Sequence, residues 1–182
     1  MTILLTGFEP WGKNRVNPSG EIARALGGHV LPVDFAIAAR ELRRLIRQTR
    51  PKALLMLGLA TGRKRISLEA VALNVDHYEG RGKQQRWRRP IRRRAPIALE
   101  ARLPLDRIFR RLKAARVPAT LSHHAGTFVC NHVFYEGLAA FEGPCGFVHV
   151  PPFKAMSRPR QIGAIRAILS ALGASSSPAA TR

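Results

Sequence analysis

Two kinds of apolar pattern alternate along the chain. Short, mostly uninterrupted apolar runs are typical of strands that are covered on both faces. We place these strands at 3–5, 30–33, 53–57, 119–122 and 146–150, with a further extended segment at 66–75. Between them, apolar residues recur every three or four positions, as on one face of a helix. These helical segments lie at 19–27, 35–49, 105–115, 130–138 and 159–172.

The alternation of strands with helices predicts an α/β protein. Its sheet is expected to be mostly parallel and twisted, with helices on both faces, as in a three-layer α/β/α sandwich. The 182 residues are enough for one domain with a sizeable core. We therefore expect a single domain over 1–173, followed by a disordered tail at 174–182, which is small and polar.

Phe8 and Trp11 flank Pro10 in a segment that cannot be helical. Two loop aromatics could cover a concave site or cap the core, and the residues leave both interpretations open. Further along the chain, Ser19 has the side chain of a helix N-cap and is predicted to start the first helix.

Composition narrows the class of protein. Hydrophobic residues make up 46% of the chain, which indicates a globular protein, and the formal net charge is +20. Two cysteines are too few for a disulfide framework, and no zinc-ligand spacing, G-x-G-x-x-G or P-loop is present. No metal or cofactor is therefore expected. Since there is no signal-peptide pattern and no apolar run of about 18 residues, we expect a soluble cytoplasmic protein with reduced thiols.

An arginine-rich run at 81–94 holds eight basic residues in fourteen and no acid. Glycine and proline within it argue against regular structure, so we interpret about 79–97 as an exposed, mobile loop. Trp87 in this run could stack on a nucleobase or fold back onto the core. The charge favours polyanions non-specifically, although charge alone does not establish a nucleic-acid function.

Cys130 lies where a turn of small residues becomes a helix. A thiol in the first helical turn is close to the positive end of the helix dipole and to unpaired backbone N–H groups. Both favour the thiolate, which is the nucleophilic form. The alternative from the residues alone is a buried, apolar cysteine at a helix start. Cys145 is interpreted as such a core residue.

Cys130, His149 and Glu69 have the chemical types of a cysteine-hydrolase triad. Each lies near a strand end or a helix start, where an α/β sheet collects its site. By spacing alone the signal is weak, because His123, His124 and His132 are competing bases. Helical geometry places the His132 side chain on the opposite side of the helix from Cys130.

At these residues the chain resembles the pyroglutamyl peptidase I (pyrrolidone-carboxylate peptidase) family of cysteine peptidases, over roughly 1–172. The resemblance rests on four blocks in order. They read TGFEPWG at 6–12 with NPS at 17–19, GLATGR at 58–63 with ISLE at 66–69, SHHAGTFVCNHVFY at 122–135, and GFVHVP at 146–151.

The resemblance implies a phosphorylase/hydrolase-like fold and a peptidase that cleaves the amide bond after an N-terminal pyroglutamyl residue. It implies Cys130 as nucleophile, His149 as base and acid, and Glu69 as the carboxylate that orients the imidazole. Phe8 and Trp11 would sandwich the lactam ring, with Phe128 and Val129 beside them. Backbone N–H groups near the start of the Cys130 helix would form the oxyanion hole. The partners that the resemblance implies for the protein are pyroglutamyl peptides and further copies of the chain, in a dimer or tetramer.

The chain also departs from the family pattern. Leu59 stands where some members have a glutamine that reaches the lactam, Trp11 replaces the usual phenylalanine, and the segment after Asn74 leads into the arginine-rich run. Two alternatives follow: a hydrolase of another small lactam or amide, and a polyanion- or nucleic-acid-binding protein on the same scaffold.

Overall fold

The structure, a computed structural model, describes residues 2–12, 15–78 and 87–173. These residues form ten strands and five helices. The strands are β1 (Ile3–Phe8), β2 (His29–Leu31), β3 (Ala53–Leu59), β4 (Ile66–Glu69), β5 (Val71–Leu73), β6 (Asp76–Tyr78), β7 (Trp87–Arg89), β8 (Ala98–Glu100), β9 (Ala119–Ser122) and β10 (Cys145–Val150). The helices are α1 (Pro18–Ala25), α2 (Phe35–Thr49), α3 (Leu105–Ala114), α4 (Val129–Ala140) and α5 (Arg158–Gly173).

Six of the strands form one central sheet in the order β2-β1-β3-β10-β4-β9. Every neighbouring pair in it is parallel except β10 and β4, which run antiparallel. The prediction of a mostly parallel α/β sheet is therefore confirmed. β3 and β10 lie at the centre and are covered on both faces, which explains their unbroken apolar sequences.

Helices cover the two faces of this sheet and give two hydrophobic cores. One core contains apolar residues of α1, α3 and α5, and the other contains those of α2 and α4. Side chains of β10 alternate between the two: Val148 belongs to the first core and Phe147 to the second. Because strand side chains alternate in this way, His149 lies on the same face as Phe147, towards α2 and α4.

The prediction that Ser19 caps the first helix is wrong. α1 begins at Pro18, and the cap is Asn17, whose Oδ1 accepts a hydrogen bond from the Ser19 backbone N–H at 3.1 Å. Proline suits the first helical position because its φ is already helical and its missing N–H would have no partner there. The cap therefore precedes the proline, and the Ser19 hydroxyl is available for another role described below.

Two small antiparallel sheets extend the fold beyond α4. β5 pairs with β8, and β6 pairs with β7. The expectation of irregular structure throughout 81–94 is wrong for Trp87–Arg89, which forms β7. Two predicted segments lie outside the described residues: the first part of the mobile loop, at 79–86, and the tail at 174–182.

Within the described ranges, no helix is both long and apolar enough to cross a membrane.

Candidate active site

Cys130 is the second residue of α4, directly after a segment that bends sharply. Gly126 adopts a φ of 84° in this segment, a conformation that glycine accepts at no steric cost. Phe128 is the extended N-cap residue, and it contributes no side-chain hydrogen bond to the helix start. The first backbone N–H groups of α4 therefore have no partner within the helix and are available to an oxyanion.

The Cys130 thiol lies against strand β3 at Gly58. A Cβ atom added to Gly58 would lie 2.8 Å from the Cys130 Sγ atom, so a glycine is needed for this close approach. Gly58 pairs in register with His149 on β10, and neighbouring strands are about 4.8 Å apart. The thiol and the imidazole are thus brought to adjacent positions at the carboxyl ends of β3 and β10.

His149 and Glu69 form a buried hydrogen-bonded pair across β10 and β4. The Nδ1 atom of His149 lies 2.8 Å from Oε1 of Glu69, and the two residues are 5% and 0% exposed. Because an ionised carboxylate only accepts hydrogen bonds, Nδ1 carries the proton. This leaves Nε2 of a neutral His149 free to accept a proton, as a general base requires.

Burial and charge act differently on the two acids of this site. Burial opposes ionisation of Glu69, but the hydrogen bond and charge of His149, together with the charge of Arg63, outweigh it and lower the pKa of Glu69. Burial and the negative charge of Glu69 raise the pKa of the Cys130 thiol to about 12. The backbone N–H at the start of α4 lowers this pKa, as the sequence predicts, but its effect is smaller than those of burial and of Glu69.

Arg63 is the part of this site that sequence reasoning did not single out. Its Nη1 atom lies 2.5 Å from Oε1 of Glu69, and its Nη2 atom donates to the backbone oxygen of His124 at 3.0 Å. The signal was present in the sequence. A lone acid in the apolar strand β4 needs a cation partner when buried, and Arg63 lies six residues before Glu69.

The competing histidines lie elsewhere. His132 is buried and hydrogen-bonds through Nδ1 to both carboxylate oxygens of Asp76, at 2.8 and 2.9 Å. His123 and His124 are exposed, and the His124 ring accepts a hydrogen bond from the Gly126 backbone N–H. Among the histidines described, His149 is the one that pairs with Glu69, and it lies opposite Gly58, which the Cys130 thiol approaches.

A cavity of about 150 Å³ opens onto the thiol. Its lining is mostly apolar. The lining residues are Phe8, Trp11, Asn17, Val33, Leu59, Thr61, Phe128, Val129 and Cys130. All four residues predicted to contact a ligand thus surround one space, and Leu59 contributes an apolar surface where a glutamine would have supplied a polar one.

The start of α1 holds the end of β1, which carries Phe8, and the loop after it, which carries Trp11. The backbone N–H of Phe8 donates to the Ser19 hydroxyl at 3.1 Å, and the Asn17 side-chain amide donates to the Glu9 backbone oxygen at 2.9 Å. Trp11 then reaches across the cavity, and its ring centroid lies 5.1 Å from that of Phe128. Trp11 therefore lines the site from the loop, whereas Phe8 ends β1 and is at once a buried core residue and part of the cavity wall.

An aromatic cluster supports Phe128 from behind. Phe35 packs edge-on against Phe128 at 5.1 Å, and Tyr78 stacks on it at 6.2 Å. Trp87 contacts Phe35 and Tyr78 at 5.2 and 6.0 Å. The Trp87 side chain thus folds back onto the protein, as one of the two sequence-based interpretations expected.

Part of the arginine-rich run is also bound to the protein. Arg92 makes two hydrogen bonds to the Glu136 carboxylate, at 2.8 and 2.9 Å, and Asn74 hydrogen-bonds to the Arg92 backbone. Arg89 lies over the Trp87 ring at 4.6 Å. Arg81, Lys83 and Arg86 lie outside the described residues.

In the parts of the chain that the structure covers, no group of three or more His, Cys, Asp or Glu side chains could hold a metal ion.

Comparisons of the sequence and of the structure with known proteins all identify similarity to the same family of peptidases. A family model described as pyroglutamyl peptidase matches residues 1–163. The pyrrolidone-carboxylate peptidase of Chromobacterium violaceum is 42% identical over 173 residues, which cover 87% of this chain and 82% of that protein. That of Thermococcus onnurineus is 36% identical over 192 residues, which cover 94% of each. The structure of pyrrolidone carboxyl peptidase from Thermococcus litoralis is similar with a TM-score of 0.88 at 30% identity, covering 94% of this chain and 93% of that one.

Proposed function

Since the chain belongs to the pyroglutamyl peptidase family, it is a cysteine peptidase of that family, and we propose that Cys130, His149 and Glu69 carry out its chemistry. The observation that supports this most directly is the convergence of three distant segments. The thiol lies over Gly58, Gly58 pairs with His149, and His149 donates to Glu69.

In the first half of the proposed reaction, the thiol is acylated. Sγ of Cys130 adds to the carbonyl carbon of an N-terminal pyroglutamyl residue while Nε2 of His149 takes the thiol proton. Because the pKa of the thiol is raised to about 12, this transfer needs an imidazole whose cation is stabilised, and Glu69 provides that. Backbone N–H groups at the start of α4 receive the negative charge that develops on the carbonyl oxygen.

The tetrahedral adduct then collapses. The carbon–nitrogen bond breaks, the imidazolium of His149 gives its proton to the leaving amine, and a pyroglutamyl thioester of Cys130 remains. In the second half, His149 takes a proton from a water molecule that adds to the thioester. The carbon–sulfur bond breaks, pyroglutamate leaves, and the proton returns to Cys130.

The cavity suits the lactam end of such a substrate. Cavities of about 150 Å³ with apolar walls accept a single six-membered ring, and pyroglutamate presents a smaller, flat and uncharged ring. We assign the ring to the space between Phe8, Trp11, Phe128 and Val129, which line that cavity together with the thiol. Small apolar pockets with few polar groups bind ligands of this kind.

The assignment is tested by comparing the two cysteines. Cys130→Ala should abolish release of a chromogenic amine from a pyroglutamyl amide, because no other group supplies the nucleophile. Cys145→Ala is the matched control: Cys145 is fully buried in the core, so its loss should leave turnover near that of the wild-type protein. Turnover by the Cys130→Ala variant would refute the proposed nucleophile, and failure of the wild type on every pyroglutamyl amide would refute the substrate.

Leu59 favours one alternative, a hydrolase of another small lactam or amide. Its apolar side chain lines the cavity and offers no hydrogen bond to a lactam. This alternative predicts that amides of other small rings, such as proline, compete with pyroglutamyl amides for turnover. A preference of the wild type for pyroglutamyl over prolyl amides would rule it out.

Three further properties belong to the proposal. Action in the cytoplasm fits a chain whose two cysteines are both free, since thiols stay reduced there. Assembly into dimers or tetramers is checked by light scattering.

Non-specific binding of polyanions is supported by the net charge of +20. Its test is the binding of DNA, which should weaken steeply as the salt concentration is raised.

A further inference from the structure

We propose that Arg63 is a positioning residue of the reaction, which fixes the Glu69 carboxylate against His149 and ties it to the segment that carries Cys130. This inference rests on the proposed roles of Cys130, His149 and Glu69. It assigns a part in the chemistry to a residue outside that triad.

The guanidinium of Arg63 joins two parts of the site. Its Nη1 atom and the Nδ1 atom of His149 share one oxygen of Glu69, at 2.5 and 2.8 Å. Its Nη2 atom holds the backbone oxygen of His124 at 3.0 Å, in the segment that leads into α4. A planar fork with donors in fixed directions can hold both acceptors at once, which a single ammonium group cannot do.

The exposed fractions of the three side chains show how the negative charge of Glu69 is balanced. The Glu69 side chain is fully buried, that of His149 is 6% exposed and that of Arg63 is 33% exposed. A buried carboxylate without a permanent cation would take up a proton or bind the imidazolium more tightly. Arg63 neutralises Glu69 permanently, so the carboxylate can orient a neutral imidazole before the reaction and still accept its cation during it.

The groups around the Glu69 carboxylate and the Arg63 guanidinium come from five segments of the chain. β10 contributes His149, the segment after β3 contributes Arg63, and α4 contributes Cys130, whose pKa Glu69 raises. Ser122 of β9, a neutral hydroxyl, lies opposite Glu69 in register. His124 faces Arg63 through its backbone oxygen, while its ring is hydrogen-bonded to the Gly126 backbone N–H.

This arrangement gives a definite sign for the effect of removing the charge. A positive charge within about 6 Å lowers the pKa of every neighbouring acid. Since Arg63 lowers the pKa of Glu69, loss of its charge should raise the pKa of Glu69 and of the nearby Cys130 thiol. The pH profile of the reaction should move to higher pH as a whole, by about 1 unit.

The experiment measures kcat and KM against pH for four proteins: wild type, Arg63→Gln, Arg63→Lys and Arg65→Gln. Arg63→Gln should shift both limbs upward and lower kcat by about 100-fold, with little change in KM, because the catalytic groups are misplaced. Arg63→Lys keeps the charge but loses the fork, so its limbs should stay near those of the wild type while its kcat stays reduced. Arg65→Gln removes the same charge from an exposed side chain two residues away and should match the wild type.

A structural role alone would give a different result. It predicts a lower thermal midpoint and less active protein for both Arg63 variants, with the limbs of the profile unmoved. Such an unmoved profile for Arg63→Gln would overturn the proposal. Should Arg63→Gln fail to fold, Arg63→Lys decides the matter, since wild-type kcat in that variant would also overturn it.

A second measurement separates this inference from the proposed substrate. The rate of alkylation of Cys130 by iodoacetamide reports the thiolate without any peptide, with Cys130→Ala as the blank. Its pH dependence should shift upward in Arg63→Gln and not in Arg65→Gln. A shift without turnover of any pyroglutamyl amide would support the role of Arg63 and refute the substrate. Turnover of pyroglutamyl amides by all variants, with coincident pH profiles, would support the substrate and refute the role of Arg63.

Discussion

The protein contains two buried pairs of a histidine and a carboxylate, and they differ in what surrounds them. His149–Glu69 and His132–Asp76 both have an Nδ1–oxygen distance of 2.8 Å. All four residues are less than a tenth exposed. The shortest hydrogen-bond distance and the degree of burial are therefore alike in both pairs, and neither feature identifies a catalytic histidine.

The difference lies in what the other side of each imidazole faces. His149 is on β10 opposite Gly58, which the Cys130 Sγ atom approaches closely. His132 is only two residues from Cys130 along α4, but this spacing turns its side chain about 200° around the helix. It packs against the Phe35 ring at 5.5 Å instead. Closeness in sequence to the nucleophile is therefore a poor guide to the base.

The cations beside the two carboxylates also differ. Arg63 contacts Glu69 at 2.5 Å and is one-third exposed, whereas Arg89 lies 3.8 Å from Asp76 and is 60% exposed. Arg63 is tied to the segment before the nucleophile, whereas Arg89 belongs to β7. We infer that the first pair serves the reaction and that the second joins α4 to the sheet of β6 and β7.

Matched amide substitutions give the largest contrast. Glu69→Gln should lower kcat/KM by about 10⁴-fold, because a neutral amide neither holds the required tautomer of His149 nor stabilises its cation. The isosteric change should leave the fold intact, as checked by circular dichroism. Pyroglutamyl amide hydrolysis at a tenth or more of the wild-type rate would show that Glu69 does not act through His149.

Particular residues show how far the sequence alone could go. The α/β alternation was readable because central strands are covered on both faces and therefore consist of apolar residues, as in β3 and β10. The position of Cys130 at a helix start was readable because that signal is local. The roles of His149 and Glu69 came from the family resemblance, since their spacing in the sequence is not specific.

Other features depend on contacts between residues that are distant in the chain, and the sequence pattern indicates them only weakly. β7 has no apolar alternation, and Trp87 packs on Phe35, far away along the chain. The raised pKa of the Cys130 thiol follows from burial and from Glu69, neither of which the helix-start argument includes. The contact of Arg63 with the His124 backbone likewise depends on the folded course of two loops.

The second pair should affect stability and leave the chemistry nearly unchanged. Asp76→Asn replaces an acceptor by an amide that can satisfy the His132 N–H only with its one oxygen. The free energy of unfolding should fall by about 1–2 kcal/mol, the cost of a weakened buried hydrogen bond. Urea denaturation checks this value, and kcat should stay within about 3-fold of the wild type, far from the loss expected for Glu69→Gln. A comparable loss of kcat in both amide variants would mean that the two pairs are not functionally distinct.

The smallest expected effect concerns the contacts that connect the His132–Asp76 pair to the wall of the cavity. Asp76 starts β6, β6 pairs with β7, and Trp87 of β7 contacts Phe35 and Tyr78, the two rings that pack on Phe128. Trp87→Ala removes this support without touching the thiol, His149 or Glu69. Because it loosens one wall of the cavity and leaves the reacting groups in place, KM should rise by about 3-fold with kcat unchanged, a loss of uniform binding. Arg88→Ala, an exposed neighbour on the same strand, is the control and should leave KM unaltered. A fall in kcat for Trp87→Ala would place β7 closer to the reacting groups than this comparison allows, because a wall that only holds the lactam ring cannot change the rate of proton transfer at His149.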